Sequence, residues 1–201
     1  MLGAIAPGPV GAEPGEEGHR LQRFPLRVWT QPSFDAEVER VLERALADWN
    51  AVFRDALGKP LDAFVRAETK SAADVFIDEA PKETPLNAQI LAGAEALGWT
   101  ALSADDRGMI YLPVKVYLRP SAGFTRLTRE TSLYLVVAHE LGHALGLGHV
   151  ADPRSIMCCI GITTATPGEH AAYVDALRHP DVRSVREQLA EHYARFWGMP
   201  R

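Results

Sequence analysis

Residues 138–150 read AHELGHALGLGHV, and they hold three of the chain's seven histidines, one acid and three glycines. On an α-helix, residues four apart lie on one face, with Cβ atoms about 5–6 Å apart. His139 and His143 therefore share a face, and their imidazoles can converge on one ion at about 2.0–2.1 Å per bond. Glu140 is one step on, rotated by about 100°, so its carboxylate flanks the ion rather than binding it. A base held beside a metal-bound water is what hydrolysis requires. A straight helix would carry His149 away from that ion. Gly146 can take the left-handed conformation that ends a helix at little steric cost, and His149 then returns as the third ligand. Gly142 and Gly148 leave room for close approach of neighbouring backbone, with no specific role assigned. Histidines decorating an exposed helix face would demand neither this spacing nor the glycine. Three protein ligands leave one position open, the mark of a catalytic rather than a structural zinc. The reaction class is metal-assisted hydrolysis, most simply of a peptide bond, with Glu140 as general base and acid.

The helix bearing this stretch starts near Thr128 and ends near Gly146, with Leu133, Val137 and Leu141 on its buried side. Upstream, residues 25–30 (PLRVWT) alternate as a strand would. In residues 31–59, Val38, Val41, Leu42, Ala45, Leu46, Trp49, Val52 and Phe53 recur every three or four positions. This is a long amphipathic helix, with Ser33 as N-cap, Asp35 where the helix dipole favours an acid, and Gly58 at its end. Short strands are expected in residues 61–68 and 73–80, whereas residues 81–106 show no assignable period. Residues 107–120 hold two alternating apolar sets split by Pro113, which cannot donate to a ladder and so marks an edge strand or bulge. The tail, residues 167–198, reads as helical with a break at His179 and Pro180. Its last part stacks Val182, Val185, Leu189, Tyr193 and Phe196 on one face. Strand, helix, strands, helix and a helical end make an α+β protein.

The chain has 201 residues, 47% of them hydrophobic, enough for one stable core. Residues 1–20, rich in Gly, Pro and Glu, read as a flexible arm or the remnant of a pro-segment. Residues 21–201 read as a single domain, with 21–149 as an N-terminal and 150–201 as a C-terminal subdomain. A net charge of −5 offers no basic phosphate-binding face and argues against nucleic acid. No apolar run approaches the ~20 residues of a membrane helix. Residues 1–12 lack the basic start and long apolar core of a secretory signal. Cys158 and Cys159 are adjacent and cannot staple distant parts of the chain. Packing as small hydrophobes is the leading reading for them, with a vicinal disulfide or a metal contact as alternatives. Tyr111, Tyr117, Tyr134 and Tyr173 are candidate oxyanion helpers, core packing being the better reading. His170, His179 and His192, in the helical tail, read as exposed rather than as ligands.

With these residues placed, the chain resembles a metzincin zinc endopeptidase and is most similar to the bacterial matrixin type. HELGHALGLGH matches H-E-x-x-H-x-x-G-x-x-H at every fixed position. By that resemblance Met157, eight residues after His149, is the Met-turn residue forming an apolar floor beneath the ligands. Asp152 is likewise implied to be a structural acid near the site. The resemblance covers residues 22–165 and implies a zincin fold: a twisted mixed sheet, a long first helix, an active-site helix, a Met-turn and a C-terminal helical part. It implies one catalytic zinc, an extended protein or peptide substrate, a monomer, and a secreted or periplasmic location, with the cytoplasm left open. Calcium is not expected, because SADDRG (residues 103–108) reads as a solvated turn. In this family the strand before the active-site helix is a sheet edge that pairs with substrate. Residues 108–118 are the candidate here, with Gly108, Met109, Ile110, Tyr111 and Leu112 foremost. The chain departs from the family in four ways. Residues 1–20 hold no cysteine for a latency switch, and the His- and Asp-rich stretches that hold structural zinc and calcium in animal matrixins are missing between Ala80 and Thr128. Cys159 stands where astacin-like relatives carry a tyrosine, and the helical tail is longer than usual. Two alternatives are a zinc-retaining module that binds peptides without cleaving them, and an archaemetzincin-like aminopeptidase. The latter carries more cysteines than the two present here.

Overall fold

The computed structural model describes residues 16–80, 98–119, 127–158 and 166–198. Strand β1 (Leu26–Thr30) leads into helix α1 (Ala36–Leu57), then β2 (Phe64–Arg66), β3 (Val75–Glu79), β4 (Gly98–Ala101), β5 (Val114–Leu118), α2 (Arg129–Ala144), α3 (Pro167–Arg178) and α4 (Arg186–Phe196). The strands form one five-stranded sheet in the order β2-β1-β3-β5-β4. All neighbours are parallel except β4, which runs antiparallel to β5. The fold is thus α+β with a mixed sheet, as expected.

Alternation in the strands sets the core. Leu26 and Val28 of β1, Val75 and Ile77 of β3, and Val114, Val116 and Leu118 of β5 are buried, while Arg27, Trp29, Phe76, Lys115 and Tyr117 lie on the other face. The apolar stripe of α1, from Val38 to Phe53, is buried on the same core as Leu133, Val137 and Leu141 of α2. Trp49 joins the two helices, because its indole Nε1 donates to the Ala138 carbonyl at 3.0 Å. Helix α1 also packs against α4, and α2 against β4 and β5. Gly58 ends α1 with φ +60°, but the N-cap is Asp35 rather than Ser33. The Asp35 carboxylate accepts from the Glu37 and Val38 amides, and the Ser33 hydroxyl accepts from Gln31 instead.

Two expectations are corrected here. The first concerns the edge. β5, the strand before the active-site helix, lies between β3 and β4, so the sheet edge is β4, in the segment that showed no period. Pro113 sits just before β5, where its missing N–H costs no ladder bond. Residues 108–112 are not a free edge either. Gly18 N donates to Gly108 O and Ile110 N to Gly18 O, Asp105 N donates to Met109 O, and Tyr111 N donates to Ser103 O. Leu112 leads from them into Pro113 and β5.

The second correction concerns residues 16–20, which are not part of a flexible arm. Glu17, Gly18 and His19 are buried, and Gly18 bridges to Met109. The earlier residues lie outside the described ones. Asp74 anchors the chain just after this segment. Its buried carboxylate accepts from Arg23 at 2.6 Å, and from the Arg27 amide and side chain at 3.0 Å. Burial pushes that carboxyl up, but the bonds from Arg27 and the charge of Arg23 outweigh it and hold the group below the usual carboxylate range. A depressed acid stabilises the fold fully above its ordinary value, and the contribution is lost as pH falls through the folded value. Asp74→Ala is therefore expected to cost about 1–3 kcal/mol at pH 7, measured by urea unfolding, with the gap to wild type closing below about pH 4. A gap unchanged at pH 3 would contradict this reading. Among the described residues, no helix is long and apolar enough to cross a membrane.

Candidate metal centre

Helix α2 starts at Thr128, whose hydroxyl accepts from the Thr131 amide, and carries His139, Glu140 and His143 in its last two turns. Its end is a Schellman motif: Gly146 N donates to His143 O and Leu147 N to Gly142 O, with Gly146 at φ +88°. The last carbonyls are then taken by side chains from distant elements. His19 Nε2 bonds Ala144 O, Tyr193 Oη donates to Leu145 O, and Gln188 Nε2 donates to Gly148 O, each at 2.8 Å. The turn that brings back His149 is held by residues 16–20 on one side and α4 on the other.

His139, His143 and His149 meet at their Nε2 atoms, which are 3.1, 3.2 and 3.3 Å apart. The outer nitrogens fix the tautomers. His139 Nδ1 lies 2.7 Å from Ile156 O, and His143 Nδ1 lies 2.8 Å from Leu147 O. A carbonyl only accepts, so both Nδ1 atoms carry the proton and both Nε2 atoms present lone pairs. Lone pairs this close repel one another unless a cation lies between them. Tetrahedral ligation with Zn–N bonds of about 2.0–2.1 Å places nitrogens about 3.3–3.4 Å apart, so the donor set fits zinc. Burial pushes His139 down to about 4 and His143 to about 3, the neighbouring histidines adding to the effect, and burial also lowers His149. All three are neutral at physiological pH, as ligation requires. Among the described residues this is the one His/Cys/Asp/Glu group so arranged.

Glu140 is buried beside this cluster. Thr100 of β4 donates to its Oε2 at 2.7 Å and lies 3.0 Å from its backbone carbonyl. Burial raises the carboxyl to about 7, with the Thr100 bond opposing the shift. Met157 is fully buried under α2. A Cβ on Gly142 would lie 2.4 Å from its sulfur and 3.2 Å from Trp49, so the close approach at Gly142 is by side chains rather than backbone. Val150 N donates to Met157 O, closing the loop between the third histidine and the Met-turn. Asp152 is exposed and shapes that loop, accepting from the Arg154 amide and guanidinium.

Some expectations for other residues change. Cys158 is disulfide-bonded rather than packed as a free thiol. The chain's other cysteine, Cys159, lies outside the described residues. His192 is buried rather than exposed, whereas His170 and His179 are exposed. Asp105, in the 103–108 turn, accepts from the amides of Arg107 and Met109. Tyr134 is buried and donates to Asp48, Tyr117 stacks on Trp99, and Tyr111 is exposed. Thr100, His19 and Gln188 carried no signal in the sequence, because each reaches the centre across 40 or more residues.

Three converging imidazoles that could hold a metal ion, with a buried glutamate beside them, sit at the end of a helix against a mixed sheet. The Matrixin family model matches residues 24–186. Among curated proteins, human matrix metalloproteinase-20 is 26% identical over 150 residues, covering 72% of this chain and 28% of that protein. Human neutrophil collagenase is 29% identical over 142 residues, covering 67% of this chain and 26% of that protein. Rabbit macrophage metalloelastase is 62% identical over a 29-residue stretch, which is 14% of this chain and 6% of that protein. The chain belongs to the matrixin family. It spans about a quarter of the length of human matrix metalloproteinase-20 and of human neutrophil collagenase.

Proposed function

We propose that the chain is a zinc-dependent endopeptidase, with His139, His143 and His149 as ligands and Glu140 as general base and acid. The observation that carries this reading is the meeting of three Nε2 atoms within 3.3 Å, with the outer nitrogens of His139 and His143 held by carbonyls. Zinc, when bound there, supplies Lewis acidity toward a carbonyl oxygen and makes a water acidic enough to act near neutral pH. Glu140 takes the proton of the nucleophilic water and hands it to the departing amine. Its burial next to the cluster keeps bulk water from competing for that proton. Met157 and Gly142 set the floor, and Gly146 sets the return of His149.

An extended peptide fits the open side of β4, which bonds to no other strand among the described residues on its side away from β5. Adding a strand to a sheet edge satisfies peptide backbone whatever its side chains. The relatives, a metalloproteinase, a collagenase and a metalloelastase, support a protein substrate. We read the protein as acting as a monomer with one zinc ion. Chelation is expected to abolish cleavage of a proteome-derived peptide library, and added zinc to restore it. A zinc-loaded protein that cleaves nothing in that library would overturn the proposal in favour of a binding module.

A further inference from the structure

We infer that Thr100 is a positioning residue for Glu140, aiming its carboxylate from the edge strand of the sheet; the inference rests on the endopeptidase reading above. Thr100 pairs with Val116 of β5, which places it in the row that faces the helices. Gly98, two residues earlier on the same face, lets β4 settle against α2. A Cβ there would lie 2.6 Å from a Val136 methyl and 3.3 Å from Glu140 Cγ. That close approach brings the Thr100 hydroxyl to 2.7 Å from Glu140 Oε2 and 3.0 Å from Glu140 O. The bond is short and charge-assisted when the carboxylate is ionised. It ties down one oxygen of a side chain with three rotatable bonds and leaves Oε1 as the atom that meets the reacting proton. The β-branch of threonine restricts χ1, so the hydroxyl is pre-aimed rather than recruited. Thr100 also lies on the strand proposed to bind the peptide. Substrate pairing on β4 and orientation of the base are therefore set by one element.

The test compares Thr100→Val, which keeps the shape and loses the hydroxyl, with Thr100→Ser, which keeps the hydroxyl. Thr100→Val is expected to lower kcat about 10- to 100-fold, with KM and zinc content unchanged. Thr100→Ser is expected to recover most of the loss. A second readout does not need turnover. With 13C-labelled glutamate carboxyls, the Glu140 signal, assigned by its loss in Glu140→Gln, moves in metal-free Thr100→Val and returns in Thr100→Ser. Wild-type kcat and an unmoved signal in Thr100→Val overturn the inference. So does a fall in both variants accompanied by loss of zinc, which makes the role merely structural. If the wild-type protein itself fails to cleave peptides, the endopeptidase reading fails, and the carbon signal still decides whether Thr100 holds Glu140.

Discussion

Glu140→Ala is expected to lower kcat by about two to four orders of magnitude while leaving one zinc per chain. The carboxylate is not among the three converging donors, and its Oε2 faces Thr100, so removing it leaves the ligand set intact. The Thr100 hydroxyl still has the residue 140 carbonyl, 3.0 Å away, as an acceptor, so no buried donor is stranded. Parallel assays of turnover and metal content check this, and full activity in the variant would sink the assignment. The same carboxyl marks the metal-free protein. Burial raises it to about 7, above its ordinary 4.5. An acid raised in the folded state leaves stability intact below the ordinary value and erodes it as pH climbs toward the folded value. Metal-free wild type should therefore lose stability between about pH 4.5 and pH 7, and Glu140→Gln should lack that slope. Urea midpoints measured across this range decide it.

Among the described glycines, Gly146→Ala should be the most damaging addition of a single methyl group. Its φ of +88° is strained for any residue with a Cβ, and the added carbon would lie 1.9 Å from the Glu17 carbonyl oxygen and 3.2 Å from Gly18 Cα. Both of these atoms are backbone and cannot rotate away. Left-handed strain of about 1–2 kcal/mol plus overpacking of about 1–3 kcal/mol lowers the melting temperature by roughly 4–20 °C in a chain of this size. The damage reaches the metal, because displacing residues 16–20 frees the carbonyl that His19 holds and moves the turn bearing His149. Zinc affinity should fall at least about tenfold. Gly58→Ala is the control: its φ is +60°, but nothing lies within 4 Å of its Cβ position. It should show the strain alone, without loss of zinc. Equal effects of the two substitutions on stability and zinc would refute the packing argument.

The zinc ligands and their turn were legible in the sequence because the unit is contiguous. The helical period, the glycine and the return of His149 are all local rules. Helix α1 was legible for the same reason. What stayed hidden is contact made through backbone or across long separations. Residues 16–20 look like an unstructured arm by composition, yet Gly18 joins the core through its own N–H and C=O, which composition does not record. The edge strand β4 has four residues, one of them glycine, too short for a period to emerge. Residues 108–118 do show alternation, and so read as the substrate edge in its place. Thr100 went unseen with it, since only the pairing of β4 with β5 brings it against α2. The disulfide at Cys158 is not legible in the sequence, because the adjacency of two cysteines alone does not decide between packing and a bond.

Zinc-edge X-ray absorption on the purified full chain, with metal quantified on the same sample, tests the central claim most directly. One zinc per chain, bound by three imidazole nitrogens at about 2.0–2.1 Å with a further light-atom ligand in the open position, is the predicted result. Sulfur in the shell at about 2.3 Å, or three-nitrogen ligation that survives His149→Ala, would contradict it.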